Sequence, residues 1–336
     1  MRFLPLALVL PLVLPLTCAA QVPLIGTLDL YGVRKVSESR IRQTLGVKPG
    51  DPLPPSKGDT EERLDAIPGV VESHLEAVCC DEGKVILYVG IEERGAAHFD
   101  IRDNPDGEMR LPEEVASAYS QFQVALEAAV RRGSTAEDLT QGHSLMADPD
   151  ARAIQAKFPD LAKEHLAALR DVLRNSGDEE QRAIAATVIG YAPRKADVMN
   201  DLQYALKDAD SVVRANAARS LTAFAILGRL DAAQNLRVQP TWFIEMLNSL
   251  SWTDRTRALA ILQVLTDVPD ASTLEQLRDR AMPALTEMAR WKTLAHALPA
   301  YLLLGRIAGL ADVEVQSAWS KGDRESVITS AIKKKK

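Results

Sequence analysis

Lys207-Asp-Ala-Asp210-Ser-Val-Val-Arg214-Ala-Asn-Ala-Ala-Arg-Ser-Leu221-Thr-Ala-Phe-Ala225 has the spacing of one helix in a stack of helices. Asp210 or Ser211 is suited to cap it, offering a side-chain oxygen to a free backbone N–H. Val213, Ala217, Leu221 and Ala225 recur at steps of four and form one apolar stripe, with Asn216 and Arg219 off it. Ala217 and Ala218 let a neighbouring helix approach closely. So narrow a stripe cannot close a core alone and needs copies on either side.

Such copies exist. Asp178, Arg182, Ala185-Ala186 and Ile189 repeat as Asp210, Arg214, Ala217-Ala218 and Leu221, 32 residues on. Val198, Leu202, Ala205 and Leu206 supply the helix between them. A weaker copy aligns from Arg257 through Ala260, Ile261 and Val264, 43 residues after Arg214. Another runs from Ala297 to Gly305, with Pro299 expected in its first turn. Residues 312–332 are expected to cap the stack. The pattern Asp-x-x-x-Arg followed by Ala-x-Ala-Ala-x-x-Leu resembles HEAT repeats of the short bacterial form. The resemblance implies an α-solenoid over residues 161–332 whose concave face takes protein partners. It also implies that Asp178, Arg182, Asp210 and Arg214 cap helices and link repeats. Some members of that form attach or detach bilin chromophores; the leader and the front module described below fit such a role poorly.

Towards the N-terminus, residues 21–95 read differently. Leu24 to Tyr31 alternates like a half-buried strand ended by Gly32. Ser37 is placed to cap a short helix through Leu45, and Asp59 or Thr60 a second one ending at Ile67. Val71–Cys79 and Val85–Glu92 form the arms of a hairpin around Asp81-Glu-Gly-Lys84. The order strand, helix, helix, strand, strand resembles a POTRA domain. So do Pro49-Gly50-Asp51, Ile67-Pro68-Gly69-Val70 and Val89-Gly90-Ile91-Glu92-Glu93. The resemblance implies a scaffolding and peptide-docking module of the cell envelope, where a partner strand adds to a sheet edge. The chain departs from the barrel-bearing members of that family, because no series of amphipathic barrel strands follows. The fold class is thus multidomain α+β: a small β-α-α-β-β module, a linker over 96–110, a helical junction over 111–160, the solenoid, and a basic tail at 333–336.

Met1 to Ala20 has an early cation, Arg2, an apolar run from Phe3 to Leu16 and small residues before Gln21. This is the pattern of a signal peptide cleaved after Ala20. It places the mature protein outside the cytoplasm, in the periplasm for a bacterial cell. Lipoprotein processing at Cys18 is the rival, and Pro15-Leu16-Thr17 matches its recognition pattern poorly. No later stretch has the length and apolarity of a transmembrane segment. Cleavage leaves Cys79 and Cys80, which have three fates open to them: a vicinal disulfide, pairing with a partner, or thiols packed at a strand end.

Function is less legible. The net charge of −6 argues against nucleic acid as the ligand. No phosphate loop, GxSxG elbow or HExxH helix occurs. His143, Asp148 and Asp150 match no metal spacing, and His74, His165 and His296 read as surface or interface residues. No catalytic, cofactor-binding or metal-ligating residue is nominated, and no cofactor is expected. Trp242, Trp252, Trp291 and Trp319 read as packing between repeats, or as hot spots if they line the concave face. The expectation is a non-enzymatic secreted adaptor for a protein or peptide partner at the cell envelope. The alternatives are a structural envelope component on wall polymer or membrane surface, and an enzyme of unrecognised type with its site near residues 134–160.

Overall fold

The computed structural model describes residues 23–268 and 270–334. The stretch read as a signal peptide, with Cys18, and the last two lysines of the basic tail lie outside these residues.

The N-terminal module contains β1 (Ile25–Tyr31), α1 (Glu38–Leu45), α2 (Lys57–Asp65), β2 (Val70–Asp81) and β3 (Lys84–Glu93). The second helix begins earlier than expected: Ser56, not Asp59 or Thr60, is the cap, and its hydroxyl accepts the Asp59 N–H. The hairpin is also tighter. Glu82 and Gly83 alone join its arms, both at positive φ, as a two-residue turn of this hand requires. β3 lies in the middle of the sheet, parallel to β1 and antiparallel to β2. Leu28, Leu75, Leu87 and Val89 face one side and pack on Ile41 and Leu45 of α1 and Leu64 of α2. The registers Asp29↔Tyr88, Tyr31↔Gly90 and Glu76↔Tyr88 put a second set of residues on the opposite side.

Beyond the module the described residues form an extended strap, one small hairpin and a series of helices. α3 (Glu113–Arg131) is followed by β4 (Glu137–Asp138) and β5 (Leu145–Met146), then α4 (Pro149–Gln155) and α5 (Phe158–Glu164). The array proper has α6 (Leu166–Asn175), α7 (Glu179–Val188), α8 (Lys195–Ala205), α9 (Ser211–Leu230), α10 (Thr241–Met246), α11 (Trp252–Leu265), α12 (Ala271–Ala289), α13 (Leu294–Ala308), α14 (Asp312–Ser320) and α15 (Arg324–Lys333). Each even-numbered helix pairs with the next, and α7, α9, α11, α13 and α15 stack in one layer. This is a solenoid of helical hairpins. Val213, Ala217, Ala218 and Leu221 are buried, as the stripe on α9 requires. α13 starts at Leu294, so Pro299 lies inside the helix rather than in its first turn.

Residues 96–110 run as extended chain along the array. The Arg102 N–H bonds to the Lys207 carbonyl (2.8 Å), and Gly107 exchanges backbone bonds with Asn175 and Gly177 (3.0 and 2.7 Å). The strap therefore crosses the turns before α9 and then α7, carrying the chain back to α3.

Candidate functional site

The turns that open α7, α9 and α11 share one construction. A polar residue two before the cap (Ser176, Asp208, Ser249) accepts the cap residue's own N–H. The cap itself (Asp178, Asp210, Ser251) accepts N–H groups of the first turn. Four residues after each cap stands an arginine: Arg182, Arg214 and Arg255. Each donates to the carbonyl six residues behind it, at 2.8, 2.8 and 2.6 Å. The third arginine is thus Arg255, not Arg257; the weaker repeat is two residues out of the register read from sequence, and Arg257 is exposed.

These arginines form a buried ladder between repeats. Arg182 grips Asp208 through Nε and Nη2 (3.0 and 2.9 Å); Nη2 also donates to Oδ1 of the strap residue Asn104, and Nη1 donates to the Ser176 carbonyl. Arg214 grips Asp254 (3.0 and 2.9 Å), which Ser249 also supports at 2.7 Å. The linking role read from the repeat pattern for Arg182 and Arg214 is what these bonds perform, while Asp178 and Asp210 cap.

The ladder breaks at the third rung. The position two before the cap, Asp208 ahead of α9 and Ser249 ahead of α11, holds Trp291 ahead of α13, and the position of Asp254, three after its cap, holds His296. Among the described residues no aspartate is hydrogen-bonded to Arg255. Its guanidinium lies 4.3 Å from the Tyr31 ring centre, so the charge rests on an aromatic face of the N-terminal module. Glu287 is 3.9 Å away, but that carboxylate already pairs with Arg34 and accepts the Gly32 N–H. Burial pushes the Arg255 pKa down to about 10.

Here the second side of the sheet seats on the array. Tyr31, Ile86 and Tyr88 belong to the same hydrophobic cluster as α11–α13. Tyr88 stacks on Trp252 at 5.3 Å and meets Trp291 at 4.9 Å, and its hydroxyl is 2.7 Å from His296 Nδ1. Tyr31 donates to the Leu250 carbonyl, Asp29 accepts the Lys292 N–H, and Glu76 accepts from Ser251 and Thr253. Gly90 is needed at this contact, since a Cβ there falls 2.5 Å from the Leu250 oxygen.

Where the sheet end, the strap and the array meet, two clefts open that share Glu92 and Leu250. One, of about 310 Å³, is lined by Arg34, Lys35, Arg94, Asn248 and Arg255, with Glu92 and Glu93 opposing. Glu93 is buried and accepts the N–H groups of Arg34, Lys35 and Val36. Burial raises its carboxyl, but those bonds and Arg34 outweigh burial and hold it below the usual range. The other cleft, of about 560 Å³, is lined by Glu72, His74, Glu92, His98 and Asp100 beside the caps of α9 and α11. Burial lowers His74 and raises Glu72, the latter helped by Glu92 across the strands. One lobe is therefore cationic and the other carries carboxylates and histidines.

Residues singled out in sequence are dispersed. His143 sits between β4 and β5 against Tyr191 and Lys195, beside a cavity of about 30 Å³, room for little more than a water molecule. Asp148 caps α4 and pairs with Arg132, and Asp150 is exposed, so the three do not converge. His74 faces Glu61 and Glu76, His165 faces Glu114, and His296 joins the docking contact. Trp252 and Trp291 pack on the module, Trp319 packs on Tyr301, and Trp242 meets Lys207. Cys79 and Cys80, both exposed on β2, are joined as a disulfide rather than packed as thiols. Sequence reading missed Tyr31, Tyr88, Arg255 and Glu287. The signal for Arg255 was the polar residue six positions before each ladder arginine.

A family profile of HEAT repeats matches residues 166–238, which span α6 to α9. No curated protein matches the chain. The matched segment holds the first rung of the ladder, Arg182–Asp208, and the arginine of the second, Arg214, and such repeats suggest a scaffold for protein partners. Among the described residues no helix is long and apolar enough to cross a membrane.

Proposed function

We propose that this chain is a non-enzymatic, secreted adaptor of the cell envelope that binds a protein or peptide in the two-lobed cleft between its N-terminal module and its helical array. The observation that carries the reading is the HEAT-repeat match over α6 to α9, a repeat type that suggests protein interaction, continued into α11 where the module docks. The cleft is polar, open and built from three parts of the chain, which suits recognition of a partner surface better than enclosure of a small substrate. The strand order of the module supports a POTRA-like docking role. β1 is occupied along its outer edge by Gly50, Asp51 and Lys292, so a partner strand has β2 to pair with. The leader pattern supports secretion into the periplasm, and a Cys79–Cys80 disulfide suits an oxidising compartment.

Affinity capture from envelope extracts, followed by rebinding of the purified partner, tests this. The partner is expected to bind the intact chain saturably and to be lost when Arg94 and Glu92 are both changed to serine. A partner that binds equally well after those changes would remove the cleft from the account. A chain that captures nothing saturable would remove the adaptor.

A further inference from the structure

At the third rung of the arginine ladder no carboxylate among the described residues is hydrogen-bonded to the arginine, Glu287 standing 3.9 Å off, and the cleft beside it is cationic. Arg182 and Arg214 are buried and each is met bidentately by an aspartate. Arg255 is buried to the same degree, with 4 % of its side chain exposed, yet its Nη1 has no hydrogen-bond partner among the described residues. A buried guanidinium N–H left unmet is costly, and its natural complement is a planar anion taking two parallel bonds. Glu287 does not fill the place, being held by Arg34 and Gly32. Arg255, Lys35 and Arg94 all line the 310 Å³ cleft, and the last two are exposed and make no ion pair among the described residues. Four cationic side chains line this lobe against two acidic ones, and one of those two, Glu93, is spent on backbone N–H groups.

We propose that this lobe binds a carboxylate, with Arg255 as the buried donor that orients it and Lys35 and Arg94 as the charges that draw it to the mouth. The inference rests on the adaptor reading for its biological partner, a peptide presenting either its C-terminus or an acidic side chain. The chemistry of the lobe is independent of which.

Calorimetric titration of the full chain tests it with three defined probes: Gly-Gly-Ala with a free C-terminus, the same peptide amidated, and amidated Gly-Asp-Ala. At least one acid is expected to bind saturably and the amide without a carboxylate not; which acid binds tells C-terminus from side chain. Arg255→Lys is expected to weaken that acid by at least about tenfold, the cost of losing a charge-assisted bond. Lys35→Gln with Arg94→Gln, both at exposed positions, is expected to weaken binding and to flatten its dependence on salt. The proposal is overturned if neither acid binds, if the amide binds as well, or if the Lys35/Arg94 double variant binds unchanged. That last arm decides the matter even if Arg255→Lys does not fold. Where no acid binds but a captured partner still does, the inference falls and the adaptor stands; where acids bind and no partner is captured, the reverse holds.

Discussion

The hydroxyl of Tyr31, at the end of the first strand, donates a 2.5 Å hydrogen bond to the carbonyl of Leu250, 219 residues further on in the turn before α11. The bond joins the N-terminal sheet to the middle of the helical array, and the same ring lies under Arg255. The sheet thus has helices on both faces: α1 and α2 on one side and the array on the other.

Removing these contacts has graded consequences. Tyr31→Phe keeps the ring and loses the bond to Leu250, an expected loss of about 1 kcal/mol. Tyr88→Ala empties a site shared with Trp252 and Trp291 and is expected to cost about 3–5 kcal/mol. Urea denaturation followed by tryptophan emission measures both, since two of the four tryptophans line this contact.

Gly90→Val acts on docking without touching the module's own core. Its Cβ collides with the Leu250 oxygen and the Tyr31 ring. The module is expected to fold but not to seat, and the strap at 96–110 to become a site of rapid proteolysis. A cleavage rate equal to that of the parent protein would show that the contact tolerates the side chain.

The ladder is expected to respond asymmetrically. Arg182→Met leaves Asp208 buried without its cation and should cost about 3–5 kcal/mol, whereas Arg182→Met combined with Asp208→Leu should cost less. Denaturant midpoints of the single and double variants check this. Additive losses would mean that the pair does not interact.

A half-buried histidine and a buried lysine set the pH dependence near the small hairpin. Burial and Lys195 hold His143 down to about 4. The unfolded chain takes up a proton below about 6.5 while the folded chain resists, so stability is full above that value and falls as pH drops towards 4. Burial holds Lys195 down to about 8. Between there and about 10.5 the unfolded chain keeps a proton that the folded chain has lost, so stability rises with pH across that window. Lys195→Met should abolish the alkaline rise, and His143→Gln the acid fall, in urea midpoints measured from pH 4 to 10.5.

The sequence disclosed much of this architecture, for identifiable reasons. The α9 stripe and the Asp178/Asp210 pairs are local patterns of period four, and these survive folding unchanged. The run Val85-Ile-Leu-Tyr-Val-Gly-Ile91 also signals burial on both faces, since a strand with no polar position has no face suited to water. What covers its second face depends on Tyr88 meeting Trp252 and Trp291 across more than 160 residues, a relation no periodicity encodes. The register of the third repeat was missed because it was aligned on an exposed arginine, Arg257, while the polar turn residue Ser249 and the cap Ser251 point to Arg255. The cleft follows from both, since it exists only where docking and the broken ladder coincide.

Hydrogen exchange of the full chain in graded urea tests the docking most directly. The amides of β3 (Lys84–Glu93) and of α11 (Trp252–Leu265) are expected to lose protection together, with one denaturant dependence, and Gly90→Val is expected to split them. Amides of β3 that open well before α11 in the parent protein, with Gly90→Val changing nothing, would mean that module and array are separate bodies and that the cleft between them is not a site.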